Sequence, residues 1–164
     1  MGLLLIALVL ATFLCSLVTG FLFAFAVVVM AGIKKLNDGE FIRAFQTMDG
    51  IIQNNQPLFV VVWLGSVIAL VVAAALGVGH LDATGRWILI VSTVAYLLGV
   101  QLPTFTINVP LNNRLQSLNV DTMDEAAREA AREAFEGRWN RWNVIRTVVS
   151  CLVSLLLIGL VLRI

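Results

Sequence analysis

The sequence predicts an all-α fold, an integral membrane four-helix bundle with two cytoplasmic amphipathic helical connections, in which residues 1–164 form a single membrane domain. Of the 164 residues, 60% are hydrophobic and only 13% are charged, a balance that soluble globular domains do not have. Four apolar runs are each long enough to cross about 30 Å of hydrocarbon. None of them alternates strictly between apolar and polar residues, so a membrane β-barrel is excluded.

The four apolar runs give the predicted membrane helices in chain order. They cover about residues 3–33, 57–79, 87–109 and 144–162. The first run lacks a basic amino-terminal flank and a convincing small-residue cleavage site. We therefore expect it to be a retained membrane helix and not a signal peptide.

Lysine and arginine are concentrated in the first and third connections between these runs. The first carries Lys34, Lys35 and Arg43, and the third carries Arg114, Arg128, Arg132, Arg138 and Arg141. Since basic residues favour the cytoplasmic side, we expect both connections in the cytoplasm and both termini on the non-cytoplasmic side of the cell (inner) membrane. The formal net charge of +1 does not indicate nucleic-acid binding, so membrane lipids are the expected surroundings.

The first connection has the pattern of an amphipathic helix over about residues 38–54. Its apolar positions recur at helical spacing, at Phe41, Phe45, Met48 and Ile52. The other side carries Arg43, Gln46, Asp49 and Gln53. Asn37 or Asp38 can cap the start of the helix. We expect this helix to lie along the membrane surface.

The third connection also predicts a helix, over about residues 122–142. Thr122 and Glu125 have the spacing of a capping box. An alanine-rich segment with regularly spaced Arg and Glu follows, and we interpret its charges as a solvated face.

Polar side chains inside the apolar runs are the first candidates for function, because they are unfavourable in a bilayer. The third helix carries one polar stripe, formed by Gln101, Thr104, Asn108 and Asn112. The start of the fourth helix carries another, formed by Trp139, Asn143, Arg146 and Ser150. Because the third helix ends where the fourth begins, we expect the two stripes to line a cytoplasm-facing cavity walled by Trp139 and Trp142. Pro103 and Pro110 predict a kink in the third helix.

Each of these residues also has a structural interpretation. Arg146 can extend its side chain to the lipid headgroups, while Trp139 and Trp142 suit an aromatic belt at the interface. Asn108 and Asn112 can cap a broken helix end or bridge two helices. The sequence leaves both interpretations open.

The sequence also lacks the residues that several functions need. His80 is the only histidine, so two imidazole ligands for a haem are absent, as is a His/Glu cluster for a di-iron or zinc centre. There is no phosphate-binding glycine loop, no hydrolase triad and no acidic residue within an apolar run. No cofactor or metal site is evident, and ATP-driven or proton-coupled transport is disfavoured.

Three segments resemble the anthrone-oxygenase-like family of small four-helix membrane proteins. They are Phe45-Gln46-x-Met48-Asp49-x-Ile51, Asn108-Val109-Pro110-Leu111-Asn112-Asn113-x-Leu115 and Arg138-Trp139-x-x-Trp142-Asn143-x-x-Arg146-Thr147. The similarity covers nearly the whole chain. Characterised members of the family oxidise a polyketide anthrone to an anthraquinone with molecular oxygen, so the resemblance implies an oxygenase that needs no cofactor and acts on a hydrophobic aromatic small molecule.

The resemblance also implies roles for particular residues. Arg146 would stabilise an enolate oxyanion, and Asn143 would assist it. Asn108 and Asn112 would hold substrate oxygens, Trp139 and Trp142 would stack on the rings, and Gln101 would contribute to substrate binding. Asp49 is the carboxylate that could serve as the base, if its helix folds beneath the cavity.

A noncatalytic function is the alternative. The same polar stripes could recognise a lipid or a quinone-like molecule, or hold a membrane partner such as a second copy of the chain. A channel is less well supported, because the polar stripes are short.

Overall fold

The fold is all-helical, and four helices are long and apolar enough to cross a membrane. The computed structural model describes residues 2–164. The four long helices are α1 (Gly2–Ile33), α3 (Pro57–His80), α4 (Ala83–Gln116) and α5 (Glu125–Arg163). Between the first two lies α2 (Asp38–Gln53). The predicted four-helix bundle is confirmed.

Helix α4 is longer than the apolar run that predicts it. It begins after Asp82, whose carboxylate accepts a hydrogen bond from the Gly85 amide at 2.9 Å. The helix then continues through Pro103 and Pro110, with π-helical turns at Leu97–Gln101 and Thr104–Asn108. A wider π-turn places an extra residue in the helix and accommodates a missing backbone donor without ending it.

The predicted helix over 122–142 and the fourth membrane helix form one continuous helix of 39 residues. The prediction that Thr122 caps its start is wrong. Asp124 is the cap and accepts from the Ala127 amide at 2.8 Å, whereas Thr122 ends a short 3-10 turn, Val120–Thr122. Asp124 directly precedes the first helical residue, where a short side-chain acceptor reaches the free amides.

Helix α2 packs beneath the bundle, and protein covers part of its apolar side. The Phe45 ring lies 4.6 Å from the Phe135 ring and 5.4 Å from the Trp139 ring, measured between centroids. The apolar side of α2 is therefore partly buried against α5, and the expectation that the helix lies along the membrane surface stays a prediction. Asp49 also lies one helical repeat beyond Phe45 on this covered side, and it is buried, contrary to its prediction as part of the polar side.

Arg132 of α5 fixes the turn between α1 and α2. Its guanidinium donates to the carbonyls of Lys34 and Leu36 at 2.8 and 2.9 Å. It also pairs with Asp38 at 3.0 Å and with Glu136 at 2.8 Å. Our interpretation of all charges in this segment as a solvated face is therefore wrong for Arg132, which connects two elements.

We expect Arg132→Gln to destabilise the protein by about 1–3 kcal/mol, because two carbonyls and a carboxylate of the turn lose a charged donor. Thermal unfolding in detergent measures the change. Arg138→Gln is the matched control, since Arg138 is exposed and makes no side-chain hydrogen bond to residues 2–164. Equal melting temperatures for the two variants would contradict this role.

Gly99 lets α4 and α5 approach closely. A methyl group built at Gly99 would lie 2.8 Å from Cγ1 of Val149. Val149 is branched at Cβ and has little freedom to move aside.

We expect Gly99→Ala to destabilise the protein by about 1–3 kcal/mol, as measured by thermal unfolding. Gly159→Ala, where nothing lies within 4 Å, should be neutral or stabilising, and a similar result for Gly99→Ala would show that the contact is not tight.

Candidate functional site

A cavity of about 410 Å³ lies at the end of the bundle that carries the first and third connections. Its size falls in the range of small-molecule sites. Seven aromatic side chains line it: Phe21, Phe25, Phe45, Phe59, Trp63, Phe105 and Trp139. The polar groups that converge on it include Asp49, Thr104, Asn108, Asn112, Asn143 and Arg146.

Arg146 is buried inside the bundle, with 4% of its surface exposed. Its two terminal nitrogens donate to the Thr104 hydroxyl at 2.8 Å and to the Asn143 amide oxygen at 3.0 Å. Its Nε has no hydrogen-bond partner among residues 2–164, and no carboxylate of these residues pairs with it. A buried guanidinium without a counterion is energetically unfavourable, so this charge points to a functional role.

Asp49 supplies the opposite charge in the same cavity. It is also 4% exposed, and its carboxylate accepts hydrogen bonds from Asn112 at 2.8 Å and from Gln53 at 2.6 Å. Burial raises the pKa of Asp49 above its ordinary value, although these two hydrogen bonds lower it. Within the described part of the chain, Asp49 pairs with no Lys or Arg. A carboxylate of this kind is a stronger base than an exposed one.

The asparagines join these two groups to the cavity wall. The Asn112 amide oxygen accepts from the Trp139 indole at 2.7 Å while its amide nitrogen holds Asp49. Asn143 accepts from Arg146 and donates to the Leu22 carbonyl at 3.2 Å. The Asn108 amide oxygen is buried and has no partner among the described residues. It is therefore free to accept a hydrogen bond from a ligand.

Two predicted site residues lie outside the cavity lining. Gln101 is buried behind the wall, where its amide oxygen accepts from the Trp63 indole at 2.9 Å. It therefore contacts Trp63, which does line the cavity. Trp142 is half-buried and does not line the cavity. Trp139 lies three residues earlier on the same helix and does line the cavity. Of the two tryptophans that we expected in the wall, only Trp139 is there.

The aromatic wall contributed by α1 and α3 was missed from the sequence. Phe21 and Phe25 lie four residues apart on α1, and Phe59 and Trp63 lie four residues apart on α3. Phe59 and Trp63 stack with ring centroids 5.3 Å apart, and the Phe21 ring meets the Phe59 ring edge-on at the same distance. Paired aromatics at this spacing on two neighbouring helices are the sequence signal that could have found this wall.

The arrangement can bind a flat aromatic molecule and act on an acidic proton. The rings supply apolar contact area, Arg146 can stabilise a developing negative charge, and Asp49 can accept a proton. Among residues 2–164, no group of three or more His, Cys, Asp or Glu side chains could hold a metal ion.

The comparisons with known proteins give one positive result. The family model described as anthrone oxygenase matches residues 51–156 of the chain. This segment includes Asn108, Asn112, Trp139, Asn143 and Arg146, while Asp49 lies just before it. No curated protein and no solved structure matches the chain.

Proposed function

The chain belongs to the anthrone oxygenase family, and from this we propose that its cavity binds a flat, anthrone-like aromatic ketone and catalyses its oxidation by molecular oxygen. One observation carries the proposal. A buried arginine and a buried carboxylate, neither paired with an opposite charge, line the same aromatic cavity. An enolate-forming reaction uses both groups.

The first step is removal of a proton from the methylene carbon of the ketone. Asp49 accepts this proton, and the electron pair moves into the ring system to leave an enolate. Arg146 stabilises the negative enolate oxygen through its guanidinium. The Asn108 amide oxygen accepts from a phenol of the substrate, and Trp139 packs on the rings. The proposal requires no metal or organic cofactor, because the electron-rich enolate is itself the reductant.

The second step is reaction of the enolate with oxygen. Two electrons pass from the enolate to oxygen as a carbon–oxygen bond forms, and Asp49 returns its proton to give a hydroperoxide. Asp49 then removes the second hydrogen of that carbon while the oxygen–oxygen bond breaks, so that a carbonyl forms and hydroxide leaves. The hydroxide takes the proton from Asp49. One ketone and one oxygen molecule give one quinone and one water.

Oxygen uptake by the purified protein tests this function. We would supply 1,8-dihydroxyanthrone in detergent with EDTA, and follow oxygen with an electrode and the quinone by its absorbance. We expect one oxygen consumed per quinone formed, at a rate well above spontaneous oxidation. The control is the double variant Asp49→Asn/Arg146→Gln in the same detergent, and a wild-type rate equal to that control would overturn the proposal.

The rate should fall on acidification at a higher pH than an ordinary carboxylate would give. Burial raises the pKa of Asp49, and only the ionised form can accept the substrate proton. As pH falls through this raised pKa, kcat/KM declines in proportion to the ionised fraction. A pH profile corrected for spontaneous oxidation measures this, and a flat profile down to about pH 4, near the ordinary aspartate pKa, would contradict the role of Asp49.

A second function, binding of a quinone-like molecule without chemistry, is favoured by one contact pattern. Both oxygens of Asp49 accept hydrogen bonds, from Asn112 and Gln53, and these bonds make the carboxylate less basic. Under this alternative, 1,8-dihydroxyanthraquinone binds to the protein, but the anthrone is oxidised no faster than by the double variant.

A further inference from the structure

We propose that the cavity is loaded from the bilayer, through a lateral opening between the start of α3 and the end of α4, with Phe105 as the lipid-side residue of that opening. The inference rests on the proposed function, since it concerns how an aromatic ligand reaches the same cavity. It adds the source of that ligand, a molecule dissolved in the membrane.

Helices α3 and α4 pack closely at the end where a turn joins them, and less closely towards the other end, where the Trp63 indole still reaches Gln101. Near the turn that joins them, α3 packs against the Ala83–Tyr96 part of α4. Beyond this part, the Thr104–Asn108 turn packs mainly against α5, and the end of α4 packs against α2 and α5. The main partner of α3 along its length is α1. Side chains from the less closely packed ends of α3 and α4 line the cavity.

Phe105 is exposed on the outside of the bundle and also lines the cavity. It is 60% exposed, although it contributes to the cavity wall. It follows Leu98 and Leu102 at spacings of four and three residues, and both leucines are exposed as well. Since these three residues lie on one outward face of a membrane-spanning helix, Phe105 stands where the cavity wall meets the bilayer.

The remaining rim of the cavity is amphipathic. Phe59 and Val109 are half-buried and apolar, and they line the cavity beside Phe105. Gln53, Asn55 and Asn113 are exposed and polar, and they line it at the end of α2 and of α4. Such a rim fits the boundary between hydrocarbon and headgroups, where a flat aromatic ring lies in the apolar part and its phenols face the polar part.

The ligand chemistry favours the bilayer as the source. A three-ring aromatic ketone partitions into lipid, because apolar surface leaves water. Entry past Phe105 lets its rings pass directly from hydrocarbon to the aromatic wall. Entry past Gln53 and Asn113 would first require transfer of the rings into water.

Binding kinetics in proteoliposomes test the opening. The probe is 1,8-dihydroxyanthraquinone, mixed in from preloaded vesicles and followed by its own fluorescence. Phe105→Trp narrows the lipid side, Asn113→Trp narrows the polar side, and Leu98→Trp adds the same bulk to the lipid-facing surface away from the cavity. For Phe105→Trp we expect association and dissociation both to slow by roughly ten-fold, and no comparable slowing of both steps in the other two variants.

The outcomes separate this inference from the function on which it rests. If Asn113→Trp slows binding of the probe and Phe105→Trp does not, the ligand enters from water. That result would overturn the lateral opening but not the proposed function. Equal slowing by Phe105→Trp and Leu98→Trp would also overturn it, because the effect would not be specific to the opening. If the wild-type protein binds no probe, the ligand class is wrong, and the proposed function and the opening both fall.

Discussion

Asp49→Asn is expected to lower the rate of anthrone oxidation by about 100-fold or more, the usual contribution of a general base. Asparagine keeps the shape of the side chain and can still accept a hydrogen bond from Asn112, but it cannot take up the substrate proton. Oxygen uptake at saturating anthrone measures the effect. Because the change is nearly isosteric, we expect the Kd for 1,8-dihydroxyanthraquinone to change only a few-fold.

The matched control for this change is Asp121→Asn. Asp121 is an exposed carboxylate that pairs with Arg43 on the surface, away from the cavity. An exposed ion pair of this kind contributes little, so Asp121→Asn should keep the wild-type oxidation rate. If Asp49→Asn also kept the wild-type oxidation rate, another group, or solvent, would have to remove the proton.

Arg146→Gln is expected to lower kcat by about 100- to 1,000-fold, the range found when an oxyanion-stabilising donor is removed. Glutamine can still donate a hydrogen bond within the cavity, but it carries no charge to stabilise the enolate. Arg146→Lys keeps the charge but has a compact ammonium instead of the planar guanidinium, so it should retain part of the activity. Steady-state oxygen uptake for both variants tests this order.

The melting temperature distinguishes a loss of enolate stabilisation in Arg146→Gln from a loss of folding. Arg146 is buried without a carboxylate partner, so its neutralisation relieves an unfavourable buried charge. We expect the melting temperature of Arg146→Gln to be equal to or above that of the wild type, whereas Arg141→Gln, an exposed control, should change neither activity nor stability. A large loss of stability together with activity would point to a structural role for Arg146.

The sequence predicted the parts of the site that depend on helical repeat alone. Asn108, Asn143 and Arg146 lie in polar stripes within apolar runs. In a membrane helix such side chains are shielded from lipid when they face the interior of the bundle. The chain order also placed the end of the third helix beside the start of the fourth. These two facts suffice to bring the three side chains to one cavity.

The parts that failed depend on which surfaces a helix presents to other elements. The sequence of α2 predicts a single apolar side, and Asp49 falls on the predicted polar side. In the structure α2 packs against both α4 and α5, and Asp49 lies one turn beyond Phe45 on the covered side, where it meets Asn112 of α4. Gln101 lies in the predicted stripe but one turn further into the bundle, where its amide oxygen accepts a hydrogen bond from the Trp63 indole. Helical spacing predicts on which face of a helix a residue lies, but it does not predict which neighbouring element that residue contacts.

The most direct test of the central claim is a crystal structure of the protein with bound 1,8-dihydroxyanthraquinone. We expect the rings to lie in the cavity against Trp139, with one carbonyl oxygen of the central ring within about 3 Å of Arg146. The other carbonyl position, on the opposite side of the central ring, should be directed at Asp49. A ligand held on the lipid-facing surface, or in the cavity without contact to Arg146, would contradict the account.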